Sequence, residues 1–391
     1  MAYEWQKCRW GDLATLEYGK RLSNYESGIG SYRVFGTNGP IGWHTESVCD
    51  HATVVVGRKG AYRGVHYSPG RCFVIDTAFY LSPKVDFDMQ WAYYELLTHD
   101  INSMDSGSAI PSTSRDSFYY LEVSLPLLPE QRAIAHILGT LDDKIDLNRK
   151  MNETLEAMAQ ALFKNWFVDF EPFRDQGMED SPLGPIAKGW NIVTIDDIGN
   201  IVCGKTPSTR ESDNYGGNIP FITIPDMHKK VFVTVTTNYL SEKGALTQSG
   251  KLLPKYAVCV SCIATPGLVA LTSEPSNTNQ QINSIICNRE TSPYWCYLAM
   301  NNLRQEIITG GAGGSATLNL NKTEFSKMQT IKPNQGVMWK FHQIVEPLFV
   351  RVLANELEST TLASIRDALL PKLLSGEVRV KDAERFAEEV M

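Results

Sequence analysis

Gly199-Asn200-Ile201-Val202-Cys203-Gly204-Lys205-Thr206 has the G-x-x-x-x-G-K-T spacing of a loop that wraps phosphates with its backbone amides. Such a loop works when a helix follows, because the helix N-terminus adds further amides and the positive end of its dipole. Here Pro207-Ser208-Thr209-Arg210-Glu211-Ser212-Asp213-Asn214-Tyr215-Gly216-Gly217 follows, which is a poor helix. The better reading is a tight turn that offers a cation and a hydroxyl to a phosphate backbone. A self-contained ATP-dependent switch stands as the competing reading. Cys259-Val260-Ser261-Cys262, with Cys287 and Cys296, has a spacing that zinc uses. The pair sits in an apolar, strand-like run, so buried thiols are expected and no metal. Gly310-Gly311-Ala312-Gly313-Gly314 has the composition of a cofactor loop, but its counterpart in the chain is Asp105-Ser106-Gly107. A mobile loop is expected there.

The remaining chemistry-bearing residues are loop cations, amides and hydroxyls. Arginine, lysine, asparagine and glutamine carry donors and acceptors that fit base edges and phosphates. The candidate DNA contacts in the first half of the chain are Lys20, Arg21, Arg58, Lys59, Arg63, Ser108, Ser112 and Arg115. In the second half they are Lys205, Thr206, Arg210, Lys229, Lys230, Ser315, Asn319, Asn321 and Lys322. The loops 108–115 and 315–322 are singled out because they occupy equivalent places just before two helices. The sequence has no Asn-Pro-Pro-aromatic motif of an adenine methyltransferase, no convincing carboxylate–lysine set of a restriction nuclease and no helicase motif set. Its seven histidines show no ligand spacing. No catalysis by this chain itself is expected.

What must position these residues is a duplicated scaffold. Asn148-Arg149-Lys150-Met151-Asn152-Glu153-Thr154-Leu155 has a diverged partner in Asn355-Glu356-Leu357-Glu358-Ser359-Thr360-Thr361-Leu362, an offset of 355 − 148 = 207. Gly107-Ser108-Ala109 meets Gly314-Ser315-Ala316 at the same offset, as Phe118 meets Phe325. Near the start of each copy the offset is 190 − 5 = 185, where Trp5 meets Trp190 and Gly19-Lys20 meets Gly204-Lys205. The second copy therefore carries 207 − 185 = 22 extra residues in its middle. Two copies of one unit imply approximate two-fold symmetry and a ligand with two halves.

Each copy divides into a globular part and a helix. Thr53-Val54-Val55-Val56, Cys72-Phe73-Val74-Ile75 and Tyr256-Ala257-Val258-Cys259-Val260 read as strands between turn signals, and residues 90–97 read as a short helix. Pro129-Glu130-Gln131 opens a long helix, with apolar residues at Ile134, Leu138, Leu141, Ile145, Met151, Leu155, Met158, Leu162 and Trp166. The second long helix carries Phe341, Val345, Leu348, Val352, Leu362, Ile365, Leu369 and Leu373 and stops near Gly376. These spacings of three and four describe a coiled-coil-like seam. Asn148 and Asn355 share one seam position, where a polar residue either fixes register or is simply solvated. Pro347 predicts a kink or a restart. A helix of about 40 residues spans about 60 Å, and two of them antiparallel would suit DNA half-sites roughly 34 Å apart.

The predicted class is α+β: two mixed α/β globular domains, 1–127 and 173–335, separated by helices 128–172 and 336–378, with a charged tail 379–391. The net charge of −7 argues against a protein that coats nucleic acid non-specifically, though not against a local basic face. No apolar run approaches a membrane span, no signal-peptide core opens the chain, and eight cysteines fit reduced thiols. A cytoplasmic location is expected.

The central stretch then adds a resemblance. It runs Leu125-Pro126-Leu127-Leu128-Pro129-Glu130-Gln131-Arg132-Ala133-Ile134-Ala135, Leu141-Asp142-Asp143-Lys144-Ile145-Asp146-Leu147-Asn148, Met151-Asn152-Glu153-Thr154-Leu155-Glu156 and Phe163-Lys164-Asn165-Trp166-Phe167-Val168-Asp169-Phe170. With the looser Gly204-Lys205-Thr206-Pro207-Ser208 turn and Ile222-Thr223-Ile224-Pro225-Asp226-Met227, this resembles the specificity subunit of type I restriction–modification systems over nearly the whole chain. The resemblance implies two target-recognition domains, each reading one half of a split, asymmetric site in double-stranded DNA. It implies helices that set the spacer and dock two modification subunits, joined by motor-nuclease restriction subunits. S-adenosylmethionine, ATP and Mg²⁺ would reside on those partners, with none on this chain. A scaffold whose duplicated units bind protein remains the other alternative.

Overall fold

The computed structural model describes residues 5–23, 28–104, 110–310, 319–383 and 385–386. Ser108, Ser315 and most of the glycine-rich loop after Gly310 lie outside them. The chain forms two compact units, residues 1–144 with 361–391 and residues 145–360. Each unit therefore holds one globular part and one end of each long helix.

In the first unit, strands Ala14–Tyr18, Ala78–Pro83, Thr53–Gly57 and Val65–Ser68 form an antiparallel sheet in that order. Thr53–Gly57 is buried along its whole length, which explains its unbroken apolar run. A smaller sheet joins Gly39–His44, Tyr32–Gly36 and Cys72–Val74. Helix Met89–Leu97 is opened by Asp88, whose carboxylate accepts from the Trp91 amide. Trp10, Trp91, Phe87 and Phe118 form the centre of the core, and Ile134, Leu138, Ile365, Leu369 and Leu373 close it from the two long helices. The buried Trp10 indole donates to Glu95 at 2.7 Å.

The second unit repeats the plan. Strands Gly199–Cys203, Ile282–Cys287, Val258–Ser261, Val269–Thr272 and Phe232–Val233 lie in that order. Helix Pro293–Asn302 is capped by Ser292, which stands where Asp88 stands in the first copy. Its core gathers Phe163, Phe167, Trp295, Phe341 and Phe349.

Strand pairing fixes the repeat more finely than sequence spacing does. Gln6 pairs with Leu125 and Asn191 with Lys332, preserving the offsets 191 − 6 = 185 and 332 − 125 = 207. On the central strands, Val56 faces Phe79 and Val260 faces Asn283, so the offset there is 260 − 56 = 204. The 22 extra residues thus split into 204 − 185 = 19 before the central strand and 207 − 204 = 3 after it. The larger part includes helices Ile224–Met227 and Glu242–Leu246 and the added edge strand Phe232–Val233, while Asn238–Leu240 stands where Gly39–His44 stands in the first unit.

The long helices run Leu128–Phe167 and Gln335–Ser375. The second does not restart at Pro347 and is helical throughout. It ends at Gly376, whose φ of 75° suits a residue without Cβ, and the Val378 amide donates back to the Lys372 carbonyl. Asn148 and Asn355 are both buried. Asn148 Nδ2 donates to Glu358 Oε2 at 2.8 Å, and Asn355 Nδ2 donates to Asn152 Oδ1 at 2.8 Å. Asn152 in turn donates to the Val352 carbonyl at 3.3 Å. Residue numbers rise on one helix as they fall on the other, so within this unit the helices are antiparallel. The solvated reading of the two asparagines is excluded.

Candidate nucleic-acid interface

The turn that carries Lys20 and Lys205 is the same in both units, and glycine is required there by close approach. A Cβ on Gly19 would sit 2.1 Å from the Ile75 carbonyl oxygen, and one on Gly204 2.1 Å from that of Asn279. The following amides are anchored alike, Lys20 to the Val74 carbonyl and Lys205 to that of Thr278. Both lysines are exposed, as are Arg21 and Arg210. Residues 199–203 are a β-strand and no helix follows Gly204, so the G-x-x-x-x-G-K-T spacing does not form a phosphate loop.

In the first unit the fold brings Arg58, Lys59, Ser112 and Arg115 to one cleft of about 720 Å³. Arg58 and Lys59 follow the buried strand Thr53–Gly57, and Lys59 bridges to Ser112. Thr113 locks the loop down, its hydroxyl donating to the Gly57 carbonyl at 2.7 Å. Two residues that sequence reasoning passed over complete the cleft. Tyr18 stands at the end of its strand with the Arg58 guanidinium 4.8 Å and the Arg115 guanidinium 5.0 Å from its ring centre. Phe79, its cross-strand neighbour, packs edge-on at 5.0 Å. Arg58 also donates to the Asp76 carbonyl at 2.9 Å, and Arg115 to the Tyr119 hydroxyl at 2.8 Å.

The same scaffold in the second unit carries different groups. The Ile263–Asn319 bridge stands where Lys59–Ser112 stands, and the Leu320 amide bonds the Cys262 carbonyl as that of Thr113 bonds Arg58. Cys203 faces Asn283 across the strands where Tyr18 faces Phe79. At this tip Thr206 donates to Gln280 Oε1 at 2.6 Å, and exposed Asn319 and Lys322 lie before and on the helix Lys322–Lys327. Gln280 was also missed; its only sequence signal is the amide run Asn279-Gln280-Gln281.

Four sequence candidates need correction. Arg63 is buried, and its guanidinium donates to the carbonyls of Asn102 at 2.6 Å and Gly60 at 3.2 Å, so it ties loops together instead of facing a ligand. Asn321 caps the helix Lys322–Lys327, its side-chain oxygen accepting from Glu324 N. Lys229 and Lys230 precede the strand at the sheet edge opposite Gly199–Cys203, remote in strand order from Lys205. They line a separate cleft of about 860 Å³ with Arg149, Glu156, Tyr297, Arg304 and Glu356.

Glu356 anchors the wall of that second cleft. Its carboxylate accepts from the amides of Val231 and Phe232 at 3.2 and 3.1 Å. Burial lifts its pKa to about 7, opposed by the Lys230 charge and the two amides and reinforced by Glu156. The folded state holds this proton more tightly than the unfolded chain, where the ordinary value is 4.5. Its contribution is therefore most favourable below pH 4.5 and is lost as pH rises towards 7, by roughly 3 kcal/mol in all. Glu356→Gln is expected to remove that slope. Denaturant midpoints of both proteins at pH 5 and pH 8 check it: equal pH dependence would show that Glu356 is not the source of the slope.

The chain matches the family described as "Type I restriction modification DNA specificity domain" over residues 3–157 and 187–363. It belongs to that type I DNA specificity family. The type I restriction enzyme HindI specificity subunit of Haemophilus influenzae is 38% identical over 327 residues, 68% of this chain and 71% of the relative. The MjaIX specificity subunit of Methanocaldococcus jannaschii is 29% identical over 312 residues, 77% of this chain and 71% of that one. A crystal structure of the S subunit of a type I restriction–modification system from M. genitalium aligns over 95% of this chain and 96% of its own, with a TM-score of 0.67 and 18% identity. That likeness shows the two-domain, long-helix fold.

A member of this family is the recognition component of a type I restriction enzyme and not its catalyst. Among the described residues no cluster of histidine, cysteine, aspartate and glutamate has the makings of a metal site, and no helix is long and apolar enough to cross a membrane. Cys259 and Cys262 are buried, as expected for thiols in an apolar strand, and desolvation pushes them up to about 12 and about 11. The specificity subunit alone is expected to show no saturable ATP binding by calorimetry. Saturable binding that Lys205→Ala abolishes would restore the nucleotide reading of the 199–206 segment.

Proposed function

We propose that this specificity subunit reads a split, asymmetric site in double-stranded DNA, one half-site per globular part. The observation that carries the reading is the pair of sheets with equivalent register and unlike tips: Tyr18, Arg58 and Phe79 in one, Cys203, Cys262 and Asn283 in the other. A shared scaffold suits two similar approaches to a duplex, and unlike tips suit two different sequences. Each good bidentate contact to a base edge contributes about 1–3 kcal/mol of discrimination.

The long helices are proposed to set the unread spacer and to dock two modification subunits. Leu147 and Met158 on one helix and Ile344, Val350 and Leu357 on the other are exposed apolar side chains, which supports docking. Motor-nuclease restriction subunits would join them, in the cytoplasm, with S-adenosylmethionine, ATP and Mg²⁺ held by those partners. The test is methylome sequencing of a methylation-free host that expresses the modification subunit with and without this chain. A split motif that appears only with the chain is the expected result. An assembled complex that writes no motif would favour a protein scaffold.

A further inference from the structure

The first unit's cleft has chemistry specific enough to name the base it takes. Tyr18 is about half exposed yet fixed, with Phe79 against its edge and guanidiniums near its ring. Each arginine is anchored by one further neutral acceptor, Asp76 O for Arg58 and Tyr119 Oη for Arg115. A guanidinium has five N–H donors, so both keep donors free. Among the described residues neither forms an ion pair with a carboxylate, although Asp116 lines the same cleft. Two partly buried guanidiniums that no carboxylate pairs among the described residues favour an acceptor-rich ligand between them.

Comparison with the second unit separates two kinds of acceptor. A phosphate contact positions the duplex and carries no sequence information, so two equivalent scaffolds would need it alike. Lysines 20 and 205 meet that description. The tip positions do not, because Tyr18, Arg58 and Phe79 are replaced by Cys203, Cys262 and Asn283 at equal register, and Arg115 by Lys322, which keeps the charge and lacks the planar fork. We propose that Arg58 and Arg115, held in place by Tyr18, read a guanine of one half-site through its O6 and N7. This rests on the split-site reading above. Tyr18 is a positioning residue in it, acting through the two arginines.

The experiment uses the specificity subunit assembled with its modification subunits, with methylomes and duplex binding measured for Arg58→Ala, Arg115→Ala, Arg58→Lys, Arg115→Lys, Tyr18→Ala and Tyr18→Phe. The wild-type motif is expected to contain a G·C pair in one half-site that the arginine variants and Tyr18→Ala no longer require, with about 10- to 100-fold less discrimination there. The other half-site should be unchanged. Tyr18→Phe keeps the ring and should retain discrimination. The lysine variants keep the charge and lose the planar fork, so they too should relax the position. Weakening that is uniform over all sequences would mean phosphate contacts and overturn the inference, as would an unchanged motif. A wild-type complex that writes no split motif removes the reading beneath it, and the inference with it.

Discussion

Phe341→Ala is expected to lower the stability of the second unit by about 3–5 kcal/mol, a large share of the roughly 5–15 kcal/mol that holds a typical domain. Phe341 belongs to the second long helix and is fully buried. Its ring lies 4.7 Å from that of Phe167, 5.6 Å from Trp166 and 6.3 Å from Phe163, all on the first long helix. Phe163 and Phe167 in turn meet Trp295 of the globular part, at 6.4 and 6.3 Å. One side chain thus sits where both helices and the recognition part meet, and truncation leaves a cavity that three aromatic neighbours cannot close without losing their own edge-to-face contacts. Phe341→Leu should cost clearly less because it refills part of the volume. Denaturant unfolding followed by tryptophan fluorescence reads this directly, since Trp166, Trp190 and Trp295 lie in the same cluster. A loss below about 1 kcal/mol would mean that the helix ends are not packed as described.

Much of this architecture is legible in the sequence because it depends on spacing. The seam of threes and fours marks both long helices, and the Gly19 and Gly204 turns betray themselves because only glycine fits beneath a carbonyl oxygen 2.1 Å away. Where the 22 extra residues fall is not legible, since register between diverged strands is decided by pairing, and only the facing of Val260 with Asn283 reveals the intermediate offset. Cations are equally ambiguous. Arg58 and Arg63 are five residues apart and look alike in the chain, yet Arg58 reaches the Tyr18 ring while Arg63 is wrapped by the 101–102 carbonyls, whose approach nothing near Arg63 announces. Tyr18 is missed for the converse reason: an aromatic residue on a strand normally signals core, and its placement among guanidiniums depends on loops 40 and 97 residues away.

Replacing Asn148 and Asn355 together by leucine is expected to change what the protein recognises more than how firmly it folds. Each asparagine is buried and bonded across the helix pair, through Asn148 to Glu358 and through Asn355 to Asn152. A single Asn→Leu change strands its partner, at a cost of about 1–3 kcal/mol. Glu358 is exposed and can turn to water, so Asn148→Leu should sit at the low end. The double change leaves both Glu358 and Asn152 without these bonds, but it also removes two buried amides, including the unpartnered Asn148 Oδ1, and extends the apolar seam, which offsets part of that cost. What leucine cannot supply is a preference for one alignment, because apolar side chains pack nearly as well after a one-turn slip while the amides bond in a single register. If these helices set the spacer, the wild-type complex should methylate sites of one spacer length and the double variant sites of more than one. Methylome sequencing of the two complexes decides it. One unchanged spacer in a stably folded double variant would show that the asparagines do not determine register.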